Sequence, residues 1–290
     1  MRLVSFCILG GLSGAVANVT ATSLAPRSPA VTVSPIPYSD KSQEDQLTAI
    51  KDLQLKRILK NMVAKESLLK LKCLQADNAQ ILTAEGLEKI CENLKHLSLS
   101  GNSISNIAAL AQLKELITLN LSKNLIVVPA GIGSLKQLES LDLSHNQLKY
   151  AFCCSFVSLR YLRLNDNNIQ QLIFIKDFNK LLEEVDISNN TLKNIAIKAP
   201  LLSLKKLSAN GTFLTQVDDL KHLQNLEVLE LKNCPYLHSI ASLFYRIGEH
   251  WQCKLQKLKV LRISEEFLDK ESKDILADIK GKKNSMLTVQ

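Results

Sequence analysis

From Leu71 onward the apolar residues of this chain recur at fixed positions. The phrase Leu94-Lys-His-Leu97-Ser-Leu99-Ser-Gly-Asn102 returns 22 residues later as Leu116-Ile-Thr-Leu119-Asn-Leu121-Ser-Lys-Asn124, and again as Leu138-Glu-Ser-Leu141-Asp-Leu143-Ser-His-Asn146. The short alternation around each Leu-x-Leu is the period of a strand of roughly three residues. It turns Leu97 and Leu99 inward and His96, Ser98 and Ser100 toward solvent. After each asparagine the spacing changes to every third residue (Ile104, Ile107, Leu110, Leu113, Leu116), which predicts a 3₁₀ or short α-helical return limb. A unit this small buries its apolar face only against another copy of itself, so the pattern predicts stacked coils. The expected fold class is α/β, a curved solenoid with a parallel concave sheet and a 3₁₀/short-helix convex side.

The phrase continues in both directions with lower fidelity. Forward it reads Leu159-Leu162-Leu164-Asn167, Leu182-Val185-Ile187-Asn190, Leu204-Leu207-Ala209-Thr212, Leu226-Leu229-Leu231-Cys234 and Leu258-Leu261-Ile263-Glu266, and backward Leu71-Leu74-Ala76-Ala79. About nine units result, with one long step between Cys234 and Glu266. The asparagine amides sit where the chain leaves the strand and are expected to pair with buried backbone groups. Thr212 and Cys234 can stand in for them. Ala79 and Glu266 cannot, which marks the first and last coils.

The ends read differently. Residues 1–41 form a signal-like and disordered N-terminal segment. Residues 42–67 are expected to be an N-terminal capping helix that starts at Ser42-Gln-Glu-Asp and turns Leu55, Ile58, Leu59, Met62 and Val63 inward. The repeats take 68–268. Residues 269–290 give a C-terminal capping helix, with Ile275, Leu276 and Ile279 inward, and a tail. Within the long step, Ile240, Leu243, Phe244, Ile247 and Trp251 follow helical spacing and predict a longer convex helix, or else an exposed aromatic patch.

Charge and cysteine narrow the function. The net charge of +8 is carried largely by the ends: Lys51, Lys56, Arg57, Lys60, Lys65, Lys70 and Lys72 at the front, and Lys270, Lys273, Lys280, Lys282 and Lys283 at the back. The concave column reads Gln75, Ser98, Asn120, Asp142, Arg163, Asp186, Ser208, Glu230, Arg262. It places Arg163 between two aspartates, a poor hook for phosphate, and this argues against nucleic acid. A mixed polar strip suits a protein partner. The candidate contact residues are His96, Asn120, Asp142, Tyr161, Arg163, Asp186, Glu230 and Arg262, with Tyr161 and Arg163 as anchors because those residue types dominate interface energetics.

The function expected is a non-enzymatic protein-interaction scaffold without cofactor or metal. The enzyme alternative rests on Cys153 or Cys154 with His145, at positions where packing is the ordinary role of cysteine. No phosphate loop or zinc motif is visible. A membrane contact is expected only through an uncleaved N-terminal segment.

Compartment is divided. The seven cysteines include no Cys-x-x-Cys pair and no clustered caps, and Cys73, Cys91 and Cys234 fall at packing positions, as in an intracellular array. The first residues point the other way. Arg2, an apolar stretch and Ala15-Val16-Ala17 resemble a secretory signal, while the acid-free stretch from Asn18 to Tyr38 also suits a mitochondrial-type leader. Sequons at Asn18, Asn120, Asn189 and Asn210 add little in a chain rich in Asn, Ser and Thr.

The phrase L-x-x-L-x-L-x-x-N resembles the leucine-rich repeat. The run from Asn102 through Ile104, Ile107, Leu110, Leu113, Leu116 and Leu119 to Leu121 is similar to the 22-residue class. That class is typified by the leucine-rich regulatory subunit of protein phosphatase 1, the axonemal dynein light chain and the spliceosomal A-prime protein. The run from Phe213 and Leu214 to Leu231 repeats the likeness, whereas Ile126-Val-Val-Pro129-Ala-Gly-Ile132 looks like the I-P-x-x-I class of plant and signalling proteins. The resemblance covers about 68–268 and implies a concave face that grips a protein, in the phosphatase case an enzyme. Two alternatives follow, a secreted or surface recognition protein and the regulatory subunit of a phosphatase-like enzyme.

Overall fold

Each Leu-x-Leu triplet becomes a short strand because its two flanking residues find solvent while its leucine finds the neighbouring coil. The computed structural model describes residues 47–63, 68–150, 156–174, 180–197, 201–281 and 287–290. The strands are β1 (Cys73–Gln75), β2 (His96–Ser98), β3 (Thr118–Asn120), β4 (Ser140–Asp142), β5 (Tyr161–Arg163), β6 (Leu172–Phe174), β7 (Glu184–Asp186), β8 (Ile195–Ile197), β9 (Lys206–Ser208), β10 (Val228–Leu231), β11 (Phe244–Ile247), β12 (His250–Cys253), β13 (Val260–Ile263) and β14 (Thr288–Val289). Ten of them form one sheet in the order β1-β2-β3-β4-β5-β7-β9-β10-β13-β14. Every pair in it is parallel and in register, so that Leu74, Leu97, Leu119, Leu141, Leu162, Val185, Leu207, Leu229 and Leu261 form one buried spine.

The asparagine line behaves as expected. Asn124 Oδ1 accepts the Ile104 N–H at 3.0 Å, while Nδ2 donates to Leu99 O at 2.9 Å and to Leu121 O at 3.1 Å. One side chain thus closes its own turn and ties it to the previous coil. Asn102, Asn146, Asn167 and Asn190 repeat the pattern. Where the line ends, Thr212 Oγ1 donates to Ala209 O at 2.8 Å and lies 3.3 Å from Cys234 Sγ. The residue before each ladder position adopts positive φ (Lys123 55°, His145 54°, Asp166 57°, Asn189 55°). At Gly101, itself at φ 68°, a Cβ would meet Asn78 Oδ1 at 2.1 Å, so a larger residue there needs the Asn78 side chain to move.

The convex side carries 3₁₀ turns at Leu87–Lys89, Ala108–Gln112, Ile132–Ser134 and Asp218–His222. Two coils depart from that expectation: β6 and β8 form a two-stranded parallel sheet of their own. Ile173, Phe174, Ile195 and Ile197 are β-branched or aromatic and favour the extended limb.

Both ends are closed by helices. α1 (Leu53–Val63) starts later than the sequence reading placed it, and Ser42-Gln-Glu-Asp lies outside the described residues. Asp52 is its cap: Oδ1 accepts the N–H groups of Gln54 and Leu55 at 2.9 Å, and Oδ2 accepts that of Leu82 at 2.8 Å, which fastens the helix to the first coil. Leu55, Leu59 and Met62 are buried against the array. At the other end α2 (Lys270–Gly281) is capped by Asp269, which accepts the Ser272 N–H at 2.8 Å, and buries Ile275, Leu276 and Ile279. The tail then returns as β14 beside β13.

The long step is not a helix. After a 3₁₀ turn at Ala241–Leu243 the chain forms an antiparallel hairpin of β11 and β12. Phe244, Tyr245, Ile247 and Trp251 favour strands, and Gly248, at φ 59°, stands first in the two-residue connection where a type II′ turn requires positive φ. In a helix the same glycine would cost about 1 kcal/mol. Tyr245 and Ile247 are exposed, while Phe244 and Trp251 pack on the core.

Candidate functional site: the concave face

The register aligns the expected column, Gln75, Ser98, Asn120, Asp142, Arg163, Asp186, Ser208, Glu230 and Arg262, on the outward face of the sheet. His96 and Tyr161 occupy the parallel column two residues earlier. At about 4.8 Å per strand, the eight candidates from His96 to Arg262 span about 34 Å. They form a strip rather than a point.

Most of that strip is engaged with itself. His96 Nδ1 lies 2.9 Å from Thr118 Oγ1, and burial, aided by the Lys95 charge, holds its imidazole below the ordinary histidine value. Asn120 Oδ1 accepts the Ser122 N–H at 3.0 Å, and Asp142 Oδ1 accepts both the N–H and the Oγ–H of Ser144 at 2.9 and 2.6 Å. At the far end Glu230 accepts from Ser208 Oγ at 2.7 Å and from the Arg262 guanidinium, whose Nε also donates to Gln290 at 2.9 Å. Burial pushes the Glu230 carboxyl up, but the Ser208 hydrogen bond and the Lys206 and Arg262 charges outweigh it and leave it below the usual carboxylate range.

The centre differs. Among the described strands of the main sheet, only β5 has both outward side chains exposed. Tyr161 is 40% exposed. The Arg163 side chain is 54% exposed, and its Nη1 stands 3.7 Å from Asp142 Oδ2, an ion pair too open to immobilise it. Asp186, on the next strand, accepts the Ser188 N–H at 3.0 Å. Arg163 therefore leans to one of its two acidic neighbours rather than being clamped between them.

A second charged ladder was missed by the sequence reading, which followed the outward residues within each strand and not the residue before it. From β4 to β13 the residue just before each strand of the main sheet alternates in sign: Glu139, Arg160, Glu183, Lys205, Glu227, Lys259. Glu183 is bonded by Arg160 and by Lys205 Nζ at 3.1 Å, and Lys259 Nζ bonds Glu227 at 2.6 Å. The Lys205 hydrogen bond and the Arg160 charge hold Glu183 below the usual carboxylate range. The signal was present as a sign alternation at one repeat position.

Of the enzyme alternative, Cys153 and Cys154 lie outside the described residues. His145 Nε2 lies 3.4 Å from Asp166 Oδ2. Among the described residues no cluster of three or more His, Cys, Asp or Glu could hold a metal, and no helix is long and apolar enough to cross a membrane.

Triplet strands in register, a buried asparagine line and a 3₁₀ return limb meet the family pattern directly: the model for the leucine-rich repeat matches residues 93–113 and 137–157. The fold is the leucine-rich repeat solenoid, and two of its coils match the family model itself. Among solved structures, an internalin C2 from Listeria monocytogenes matches this leucine-rich repeat array with TM-score 0.62 and 21% identity, over 76% of this chain and 96% of that one. A leucine-rich repeat protein of Leptospira interrogans matches with TM-score 0.51 and 22% identity, over 76% of this chain and 49% of that one. A chain of the LRIM1/APL1C complex matches with TM-score 0.53 and 18% identity, over 67% of this chain and 39% of that one. At these identities the likeness is one of fold. No curated protein matches the chain in sequence.

Proposed function

We propose that this leucine-rich repeat protein is a non-enzymatic scaffold that binds a protein partner through its concave sheet, with Tyr161 and Arg163 at the centre of the contact. The observation that carries this reading is the exposure of both outward residues of β5 in a face whose other candidates are hydrogen-bonded within the sheet and its turns. Tyr and Arg bring large contact area and directed donors at low cost in ordering, which is why they concentrate at hot spots. The self-paired charges on either side supply orientation and register, and they leave no run of free cations for a phosphate backbone. The LRIM1/APL1C structure, which this array matches in fold, is itself a complex.

Proximity labelling from the intact protein in its native compartment tests the reading. The partner labelled by wild type should disappear with Tyr161→Ala/Arg163→Ala; an unchanged set of labelled proteins would overturn it. A secreted or surface recognition protein is the second form of the same reading, favoured by Arg2 and Ala15-Val16-Ala17. A native N-terminus at Met1 would exclude secretion by cleavage after Ala17.

A further inference from the structure

Three sequons fall on described residues, Asn120-Leu-Ser122, Asn189-Asn-Thr191 and Asn210-Gly-Thr212. Their number says little in a chain this rich in Asn, Ser and Thr, but the fold treats the three asparagines differently. Asn120 is half-buried at the end of β3, in the concave column between Ser98 and Asp142. Its Oδ1 holds the Ser122 N–H at 3.0 Å, and Ser122 is itself buried. Asn210, also half-buried, ties its coil to both neighbours. Its N–H donates to Ser188 Oγ at 3.2 Å, its Oδ1 accepts the Lys232 N–H at 2.8 Å, and its Nδ2 stands 3.4 Å from Glu230 Oε2. A bulky group on Asn120 would stand two strands from Tyr161 and Arg163, and one on Asn210 would crowd the Glu230–Arg262 pair.

Asn189 is the exposed one. It lies on the turn after β7, at φ 55°. Gly211 in the next coil makes room for its amide: a Cβ there would meet Asn189 Oδ1 at 2.3 Å. Nδ2 donates once, to Asp166 Oδ1 at 2.9 Å. An amide nitrogen in glycosidic linkage keeps one of its two protons, so the linkage and the bond to Asp166 are compatible. The adjacent Asn190 shows the opposite case, since its buried Nδ2 donates to the Leu164 and Ile187 carbonyls at 2.9 Å each and has no proton to give up.

We propose that Asn189 carries an N-linked glycan. The proposal rests on the secreted form of the reading above, because the sugar donor is met on the secretory route. In the transfer, Asn189 Nδ2 bonds to the anomeric carbon of a polyprenyl-pyrophosphate-linked oligosaccharide. The anomeric C–O bond breaks, the polyprenyl pyrophosphate leaves, and one amide proton is lost. Transfer meets the extended chain, and the fold then decides which product closes its coils without strain. A glycan on Asn189 stands on the rim beyond the end of β7 and leaves Tyr161 and Arg163 open to a protein partner.

Peptide mapping of the protein recovered from its native compartment tests this. Peptide N-glycosidase in heavy-oxygen water converts a glycosylated asparagine to a heavy-oxygen aspartate, and an enzyme-free control reads any spontaneous deamidation at Asn210-Gly211. Asn189 is expected to be labelled and Asn120 and Asn210 unlabelled, in a chain whose native N-terminus lies beyond Ala17. Thr191→Val, which keeps Asn189 and removes the sequon hydroxyl, is expected to lose the label with unchanged circular dichroism. Bare Asn189 in protein processed beyond Ala17 would overturn the site and leave the secreted reading standing, whereas bare Asn189 in protein that starts at Met1 would overturn both. Label on Asn120 or Asn210 with none on Asn189, or a label on Asn189 that survives Thr191→Val, would also overturn the site.

Discussion

Arg163 reaches across the concave face to within 3.7 Å of Asp142 and still leaves 54% of its side chain in solvent. An ion pair this open contributes at most about 1 kcal/mol to folding. Arg163→Ala is therefore expected to melt within about 1 kcal/mol of wild type by denaturant titration, which makes it usable as a binding variant. A large loss of stability would show that the arginine is a structural strut.

Asn124 is expected to behave oppositely. Its amide serves Ile104, Leu99 and Leu121 in a buried site, and removing it strands several backbone groups at a cost of about 2–3 kcal/mol in Asn124→Ala. Asn124→Thr should lose less, because the hydroxyl of Thr212 already fills that place in a later coil. Equal losses from the two variants would contradict the ladder as the source of the stability. Leu143→Ala, in the next coil, should cost about 2–5 kcal/mol as a buried leucine.

The rim ladder has a pH signature. Glu183 is held below its ordinary value of 4.5 by Lys205 and Arg160. A carboxyl whose folded value lies below its unfolded one contributes stability that is complete above the unfolded value and is lost as pH falls through the folded one. Melting temperatures measured downward from pH 7 should fall more steeply below 4.5 in wild type than in Glu183→Gln. Parallel acid limbs would show that the ladder is not coupled to folding.

Thiol chemistry separates core from face. Burial pushes the Cys91 thiol up to about 12, so at pH 8 it is neither ionised nor accessible. Cys73, half-buried on the outward side of β1, should be alkylated before Cys91 in the native protein. Peptide mapping should find Cys91 labelled only after denaturation; native labelling of Cys91 ahead of Cys73 would contradict the packing of the first coils.

The repeat was legible because its residues answer to local demands. A leucine at Leu119 and an asparagine at Asn124 are each tied to one place in a coil, and spacing alone locates that place. The concave column was legible for the same reason, since register follows from the spine. The hairpin was not: Leu243, Phe244, Ile247 and Trp251 satisfy helical spacing as well as they satisfy two strands, and only Gly248 separates the two. The pairing of Thr288 and Val289 with β13 depends on where α2 delivers the chain, which no short stretch encodes. The Arg160–Glu183–Lys205 ladder was written in the sequence at a position the leucines do not mark.

The most direct test of the concave-face reading is site-specific photo-crosslinking in the native compartment. A photoreactive residue at Tyr161 should capture a discrete protein partner, and the same residue at Gln112, exposed on a convex 3₁₀ turn, should not. Capture of that partner from Gln112 and none from Tyr161 would contradict the account and move the binding surface to the other side of the solenoid.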